Sequence, residues 1–250
     1  MSIFDRFNLG AGFSKYFQIE AAADESVRDV VYRVRHEVYC EELKFEPERP
    51  DRKETDAFDA HSVHCLLRSS REPFNPVGCT RLILTDPESH DAPLPFESSC
   101  AATLDRSIID PAKLDRRRIA EVSRLAVRSA YRRRRGETNV AVTINDDDFN
   151  DSEEQPRFPY IPISLYLGAV ALAVRNEVDT IFVLTEPRLA SHFGKLGVNI
   201  EQIGGPIEHR GTRVPSMMDV QSIIKGLRFM VKPIWRVVQE QIEQSYRDVA

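Results

Sequence analysis

The segment Glu121-Val122-Ser123-Arg124-Leu125-Ala126-Val127 constrains the fold of this chain more than any other. Polar and apolar residues interleave through it, and a period of two argues a strand with one buried face. The carboxylate, hydroxyl and guanidinium fall in its N-terminal part, so the strand carries chemistry toward a cleft. A central strand requires partners, and the flanking sequence supplies them. Ser62–Ser69, Val77–Thr85 and Thr180–Leu184 read as strands, the first two as an antiparallel hairpin.

Helical patterns surround these strands. Asp24 can cap a helix whose buried stripe is Val27, Val30, Val31, Val34 and Val38. Beside it runs a second stripe, Arg28, Tyr32, Arg35 and Tyr39, which reads either as a solvated face or as a row facing a substrate. The apolar run from Ile161 to Val174 is too short to span a membrane and reads as a buried helix. Pro187–Leu196 reads as helical, stopping at Gly197. Residues 1–23 read as a lead-in arm and residues 86–118 as a long connection. Gly204, Gly205 and Gly211 mark turns around a last hairpin, and Val220–Val249 reads as a charged amphipathic tail. Residues 145–155 form an acidic insert with the composition of a mobile loop.

With 250 residues, 42% of them hydrophobic, the chain can fill one sizeable core. A formal charge of −5 weighs against a general nucleic-acid binder. Cys40, Cys65, Cys79 and Cys100 form no C-x-x-C pair and read as buried thiols of a reduced, cytoplasmic protein. The mixed composition of Met1 to Gly10 does not read as a signal peptide. His192 and His209 have no second ligand at regular spacing, so no metal site is expected.

Charged residues cluster in three places. Glu54, Asp56 and Asp59 can bind a substrate ammonium or clamp arginines that hold a loop closed. Arg81 and Arg124 are strand arginines that need carboxylate partners if buried. The acids available are Glu54, Asp56, Asp59 and Glu121, which suggests one ion-pair network joining loop 54–59 to the sheet. The arginine-rich segment Val127–Gly136 should join a strand to a helix and can hold a phosphate, although a solvated basic patch fits as well.

Together these segments resemble GNAT-type acyltransferases over roughly residues 25–200, and within them the acyl-homoserine-lactone autoinducer synthases and N-acyl amino acid synthases. The longer chain looks more like the exosortase- and sorting-signal-associated group. The pattern R-x-x-V-[FY]-x(5)-[WF] is met by Arg35, Val38, Tyr39 and Phe45. E-x-D-x-x-D is met by Glu54, Asp56 and Asp59, G-x-x-R by Gly78 and Arg81, and E-x-S-R-x-x-V by Glu121, Ser123, Arg124 and Val127. Phe45 replaces the usual tryptophan and Tyr39 the usual phenylalanine. The acyl-donor turn is degraded: Arg132 and Gly136 stand in for it, and its first glycine is missing.

The resemblance implies an α/β (α+β) fold, a three-layer α/β/α sandwich. Its mixed, mostly antiparallel sheet would splay between the two central strands. It implies a domain over 1–214, with the insert at about 145–156 and an amphipathic helical extension over 215–250. It implies an N-acyltransferase that moves a fatty acyl group from a thioester to the amine of an amino acid or similar acceptor. Glu121, Ser123 and Arg124 would be catalytic. Arg35, Tyr39, Phe45, Glu54, Asp56, Asp59 and Arg81 would bind the acceptor. Leu125, Ala126, Val127, Arg132, Arg135 and Gly136 would meet the donor.

No permanent cofactor is implied. The co-substrate would be acyl-ACP or acyl-CoA, and an acyl carrier protein, the donor favoured by the degraded turn, would dock on Arg116, Arg117, Arg118 and Arg132 to Arg135. Leu227–Val238 reads as packing against the domain or a second subunit, or as a peripheral contact with the inner membrane. The alternatives are an acyl-homoserine-lactone synthase using S-adenosylmethionine and a non-catalytic acyl-ligand-binding domain.

Overall fold

The computed structural model describes residues 9–132, 159–186, 193–194 and 196–249. Its sheet runs in the order β1-β2-β3-β4-β5-β8-β6, with β7 paired to β8. The strands are β1 (Phe17–Ala21), β2 (Ser62–Ser69), β3 (Pro76–Leu84), β4 (Ile119–Val127), β5 (Thr180–Thr185), β6 (Glu201–Gln202), β7 (Ile207–Glu208) and β8 (Thr212–Asp219). The β4–β5 pair is parallel, and the other pairs among the described residues are antiparallel.

Two irregularities shape the centre of this sheet. The β4–β5 ladder stops at Val122↔Val183, yet β4 runs on to Val127 and β5 to Thr185. The central strands therefore splay. On the other side of β4, Arg81 pairs with Ser123 and Cys79 with Ala126, so Arg124 and Leu125 together oppose Thr80. This is a β-bulge, a feature that re-aims side chains next to functional sites. Arg124 sits in it with φ of 50°, in the left-handed region that non-glycine residues seldom occupy.

Helices cover both faces. α2 (Glu25–Arg35) starts where Asp24 accepts the Val27 N–H at 3.0 Å. Its valines at 27, 31 and 34, with Val38 beyond, pack on Leu66, Cys79 and Ala126. The helix continues as a π-helix, His36–Glu42, which carries Tyr39. Farther along the same face, α3 (Pro95–Ser99) belongs to a cluster with Ile83, Ile119 and Phe182. The opposite face is covered by α1 (Leu9–Tyr16), α4 (Tyr160–Arg175), α5 (Val220–Gly226) and α6 (Lys232–Arg247). α4 is buried continuously from Ile163 to Ala173, which explains its unbroken apolar sequence. All four cysteines are buried free thiols.

Several expectations change. The described part of the lead-in, from Leu9, is ordered as α1 and the edge strand β1. Residues 86–118 contain α3 and cover the sheet. β8 crosses the boundary expected between 214 and 215, and the residues after it belong to the same core. α6 buries Ile234, Trp235, Val238 and Ile242. It also completes the free edge of β1, where Gln241 accepts the Ile19 N–H at 2.9 Å and Ser245 accepts the Ala21 N–H at 3.1 Å. An edge strand left bare would be a template for aggregation, and here a helix covers it. The readings of 145–156 and most of 187–196 lie outside the described residues, as do Arg135 and Gly136.

Candidate active site

Three arginines and three carboxylates form a closed ring beneath the splay. Arg35 meets Glu54 at 2.5 Å, Glu54 meets Arg124 at 3.1 Å, and Arg124 meets Asp56 at 3.2 Å. Asp56 meets Arg81 at 2.6 Å, Arg81 meets Asp59 at 2.9 Å, and Asp59 returns to Arg35 at 2.6 Å. Charges alternate around the ring and cancel. Such balance is what allows Arg35 to be wholly buried, because an unpaired charge there would be prohibitive.

Local geometry explains the spacing of the acids. Asp56 accepts the Phe58 N–H at 3.0 Å, and Asp59 accepts the Asp56 N–H at 2.8 Å. This reciprocal pair caps the short 3-10 turn Ala57–His61 and leaves both carboxylates free to receive arginines. Burial alone would raise the carboxyls of Glu54, Asp56 and Asp59, but the adjacent guanidiniums outweigh it and hold all three below their usual values. Of the two uses read from the sequence for these acids, the geometry shows the arginine clamp.

Arg124 also lies over the Tyr39 ring, 5.5 Å from its centroid. The Tyr39 hydroxyl donates to the Leu125 carbonyl at 3.0 Å and so fastens the bulge to the π-turn. The Phe45 and Tyr39 rings lie 6.4 Å apart, centroid to centroid. Ser123 accepts from Arg81 Nε at 2.9 Å.

Glu121 stands apart from the ring. The sequence grouped it with the acids available to Arg81 and Arg124, but it makes no ion pair among the described residues. Its Oε2 instead accepts the Phe96 N–H at 2.7 Å. Burial pushes its carboxyl up to about 7, against the pull of that hydrogen bond. Glu121 lies opposite Phe182 on β5, one residue before the strands part.

Among the described residues, several arginines of the expected donor face have other partners. Arg132 pairs with Glu42, and Arg128 pairs with Glu37 at 2.8 Å. Arg116 is buried, 2.8 Å from Glu97 and bonded to the Ala92 carbonyl at 2.7 Å, so it holds the 86–118 connection rather than a docking face. Arg118 pairs with Asp179.

Sequence reasoning missed Glu46 and Arg210. Arg210 pairs with Glu46 and lies 5.8 Å above the Phe45 ring, and Glu46 is 3.6 Å from Arg124. No local pattern could join residues so far apart in the chain. His64 was also missed. Its Nε2 is 3.6 Å from Asp59, but burial and the nearby Arg35 charge lower it to about 3, so it lines the ring as a neutral group.

Residues 34–141 match the acetyltransferase (GNAT) domain family. Solved structures align over nearly their whole length. This is a GNAT fold. Among its structural neighbours is the CoA-dependent acyl-homoserine lactone synthase MesI, at TM-score 0.54 and 18% identity over 92% of this chain and 95% of that one. BjaI with MTA, also described as CoA-dependent, aligns at 0.55 and 19% over 88% and 98%. FeeM, an N-acyl amino acid synthase from uncultured soil microbes, aligns at 0.54 and 13% over 86% and 96%. No curated protein sequence matches the chain. The GNAT match covers the π-turn, the ring and the bulge, so it and the motifs read from the sequence coincide.

Proposed function

We propose that this GNAT fold is an N-acyltransferase that moves a fatty acyl group from a thioester to the amine of an amino acid or similar small acceptor. The observation that carries this reading is Glu121, a buried carboxyl raised to about 7 beside the splay and free of arginine partners among the described residues. An α-amino group titrates near pH ~8 and is mostly ammonium at neutrality, so it must lose a proton before it attacks. A carboxylate with a value near 7 suits that transfer far better than one in a salt bridge.

In this mechanism Glu121 takes the proton, directly or through a water, as the nitrogen lone pair adds to the thioester carbonyl carbon. The tetrahedral intermediate then expels the thiolate, which takes the second proton lost by the nitrogen, while the first passes from Glu121 to solvent. Backbone N–H groups that face the splay, near Leu125–Val127, stabilise the oxyanion. Arg124 and Ser123 act through position, the first shaping the bulge and the second fixed by Arg81. Tyr39 and Phe45 form the acceptor wall, and the acyl chain is taken up between α4 and the sheet. Much of the remaining acceleration comes from holding amine and thioester together.

Acyl-ACP is the proposed donor, because the donor turn lacks its first glycine. No permanent cofactor is needed. With Arg116 and Arg132 engaged internally, docking falls to Arg117 and the arginines from 133 onward.

The test is mass spectrometry of lipid extracts from cells overproducing the chain, beside a Glu121→Gln control. An N-acyl amino acid found only with the unmutated chain supports the proposal. An N-acyl lactone instead assigns S-adenosylmethionine as acceptor, the reading that the lactone-synthase neighbours favour. Absence of any new amide from folded protein points to a missing dedicated substrate or to a non-catalytic acyl-binding domain, and ligand bound to the purified protein separates the two.

A further inference from the structure

The turn between α5 and α6 holds Phe229 and Met230 out in water, 87% and 55% exposed. The turn is firmly built. Leu227 and Val231 on either side are buried in the main core. The Val231 and Lys232 N–H groups donate to the Arg228 carbonyl at 2.9 and 3.2 Å, and the Arg228 N–H donates to the Leu196 carbonyl at 3.0 Å. Gly226 packs so closely on Gly197 that a Cβ there would lie 2.5 Å from the Gly197 oxygen. The two apolar side chains are therefore presented by an anchored turn, not by a frayed end.

Single exposed apolar residues are ordinary on a soluble surface. The charge around this pair is not. Lys225, Arg228, Lys232 and Arg236 are all exposed, and the sequence from Val220 to Gln239 contains no acid. The chain as a whole carries 39 acids against 34 lysines and arginines. Cations flanking a protruding apolar tip complement a surface that is anionic outside and apolar beneath.

We propose that this tip docks on an anionic lipid bilayer. Phe229 and Met230 enter the boundary between headgroups and acyl chains, while Lys225, Arg228 and Lys232 meet lipid phosphates. The helix α6 does not itself lie on the membrane, because its apolar face is already buried. Contact is limited to the turn, so binding is shallow, reversible and salt-sensitive. A bilayer fits better than a folded partner, because binding hot spots between proteins sit in packed, desolvated clusters rather than at a lone protruding tip.

The test is cosedimentation of the full chain with phosphatidylcholine vesicles, with and without a quarter of phosphatidylglycerol, at low and high salt. The expected result is pelleting with the anionic vesicles alone, weakened by salt. The double variant Phe229→Ser with Met230→Ser should lower the partition by about tenfold or more. The double variant Lys225→Glu with Lys232→Glu should lower it by at least about fivefold for each cation removed. Circular dichroism confirms that both variants fold. Equal pelleting of either variant and the unmutated chain overturns the proposal, as does failure of the unmutated chain to bind anionic vesicles. Capture of purified acyl carrier protein through this turn, with no vesicle binding, assigns the surface to a protein instead. The readout is binding alone, so it stands or falls separately from acyl transfer.

Discussion

Arg124, the left-handed residue of the β4 bulge, donates to Glu54 at 3.1 Å, and Glu54 in turn holds Arg35 on the helix above. One carboxylate thus couples the backbone of the central strand to the π-turn that carries Tyr39. The ring is a positioning device: it fixes where β4 bends, and hence which groups face the splay.

Asp59→Asn should destabilise the fold by roughly 3–5 kcal/mol, because it leaves Arg35 and Arg81 without their shared carboxylate. Urea unfolding would measure this, and a loss within the noise of a surface substitution would refute the closed ring. The acid limb follows the same chemistry. The ring carboxylates hold protons less readily folded than unfolded, where their ordinary values are 4.5 and 3.8. Their contribution is complete above those values and is lost as pH falls below them. The variant should therefore lose less stability on acidification than the unmutated chain.

Glu121 titrates in the other direction. Its carboxyl is raised from 4.5 to about 7, so the folded state binds the extra proton between those values and stability declines as pH rises through that window. With Glu121 as the proposed base, transfer draws on the ionised form, so kcat/KM should rise with pH and level off above about 7. Glu121→Gln should abolish turnover yet raise stability at pH ~8 by roughly 1–3 kcal/mol, since it removes a buried charge but keeps an acceptor for Phe96. Retained activity, or a destabilised variant, would remove Glu121 as the base.

Tyr39→Phe removes the hydroxyl that donates to the Leu125 carbonyl. The expected cost is about 1 kcal/mol in stability, the usual net worth of one hydrogen bond. The larger effect should be on turnover, because the bulge loses its tie to the π-turn. Steady-state kinetics that leave kcat untouched while the melting point falls would confine Tyr39 to a structural role.

Gly78→Ala should cost about 1–3 kcal/mol through overpacking. A Cβ at this position would lie 2.5 Å from the Ala126 carbonyl oxygen and 3.1 Å from a Leu165 methyl. The strand pair has little room to yield, because α4 lies directly over it. Thermal unfolding measures the effect, and a neutral substitution would show that β3 and β4 are less tightly apposed than the geometry indicates.

The sequence alone determined the strands β2, β3, β4 and β5, the capped start of α2, the buried α4 and the pairing of loop acids with strand arginines. These were legible because period-two and period-3.6 patterns, a capping aspartate and the cost of burying an unpaired charge all act locally or through residue type. Only the tertiary structure decided which acid belongs to which arginine. It took Glu121 out of the ring and gave it to Phe96, bound Arg116 to Glu97, and brought Arg210 to Glu46. It also made the C-terminal helix the cover for β1 and left Phe229 outside. Each of these outcomes depends on through-space distance and desolvation between segments far apart in the chain, and spacing along a sequence carries no record of either.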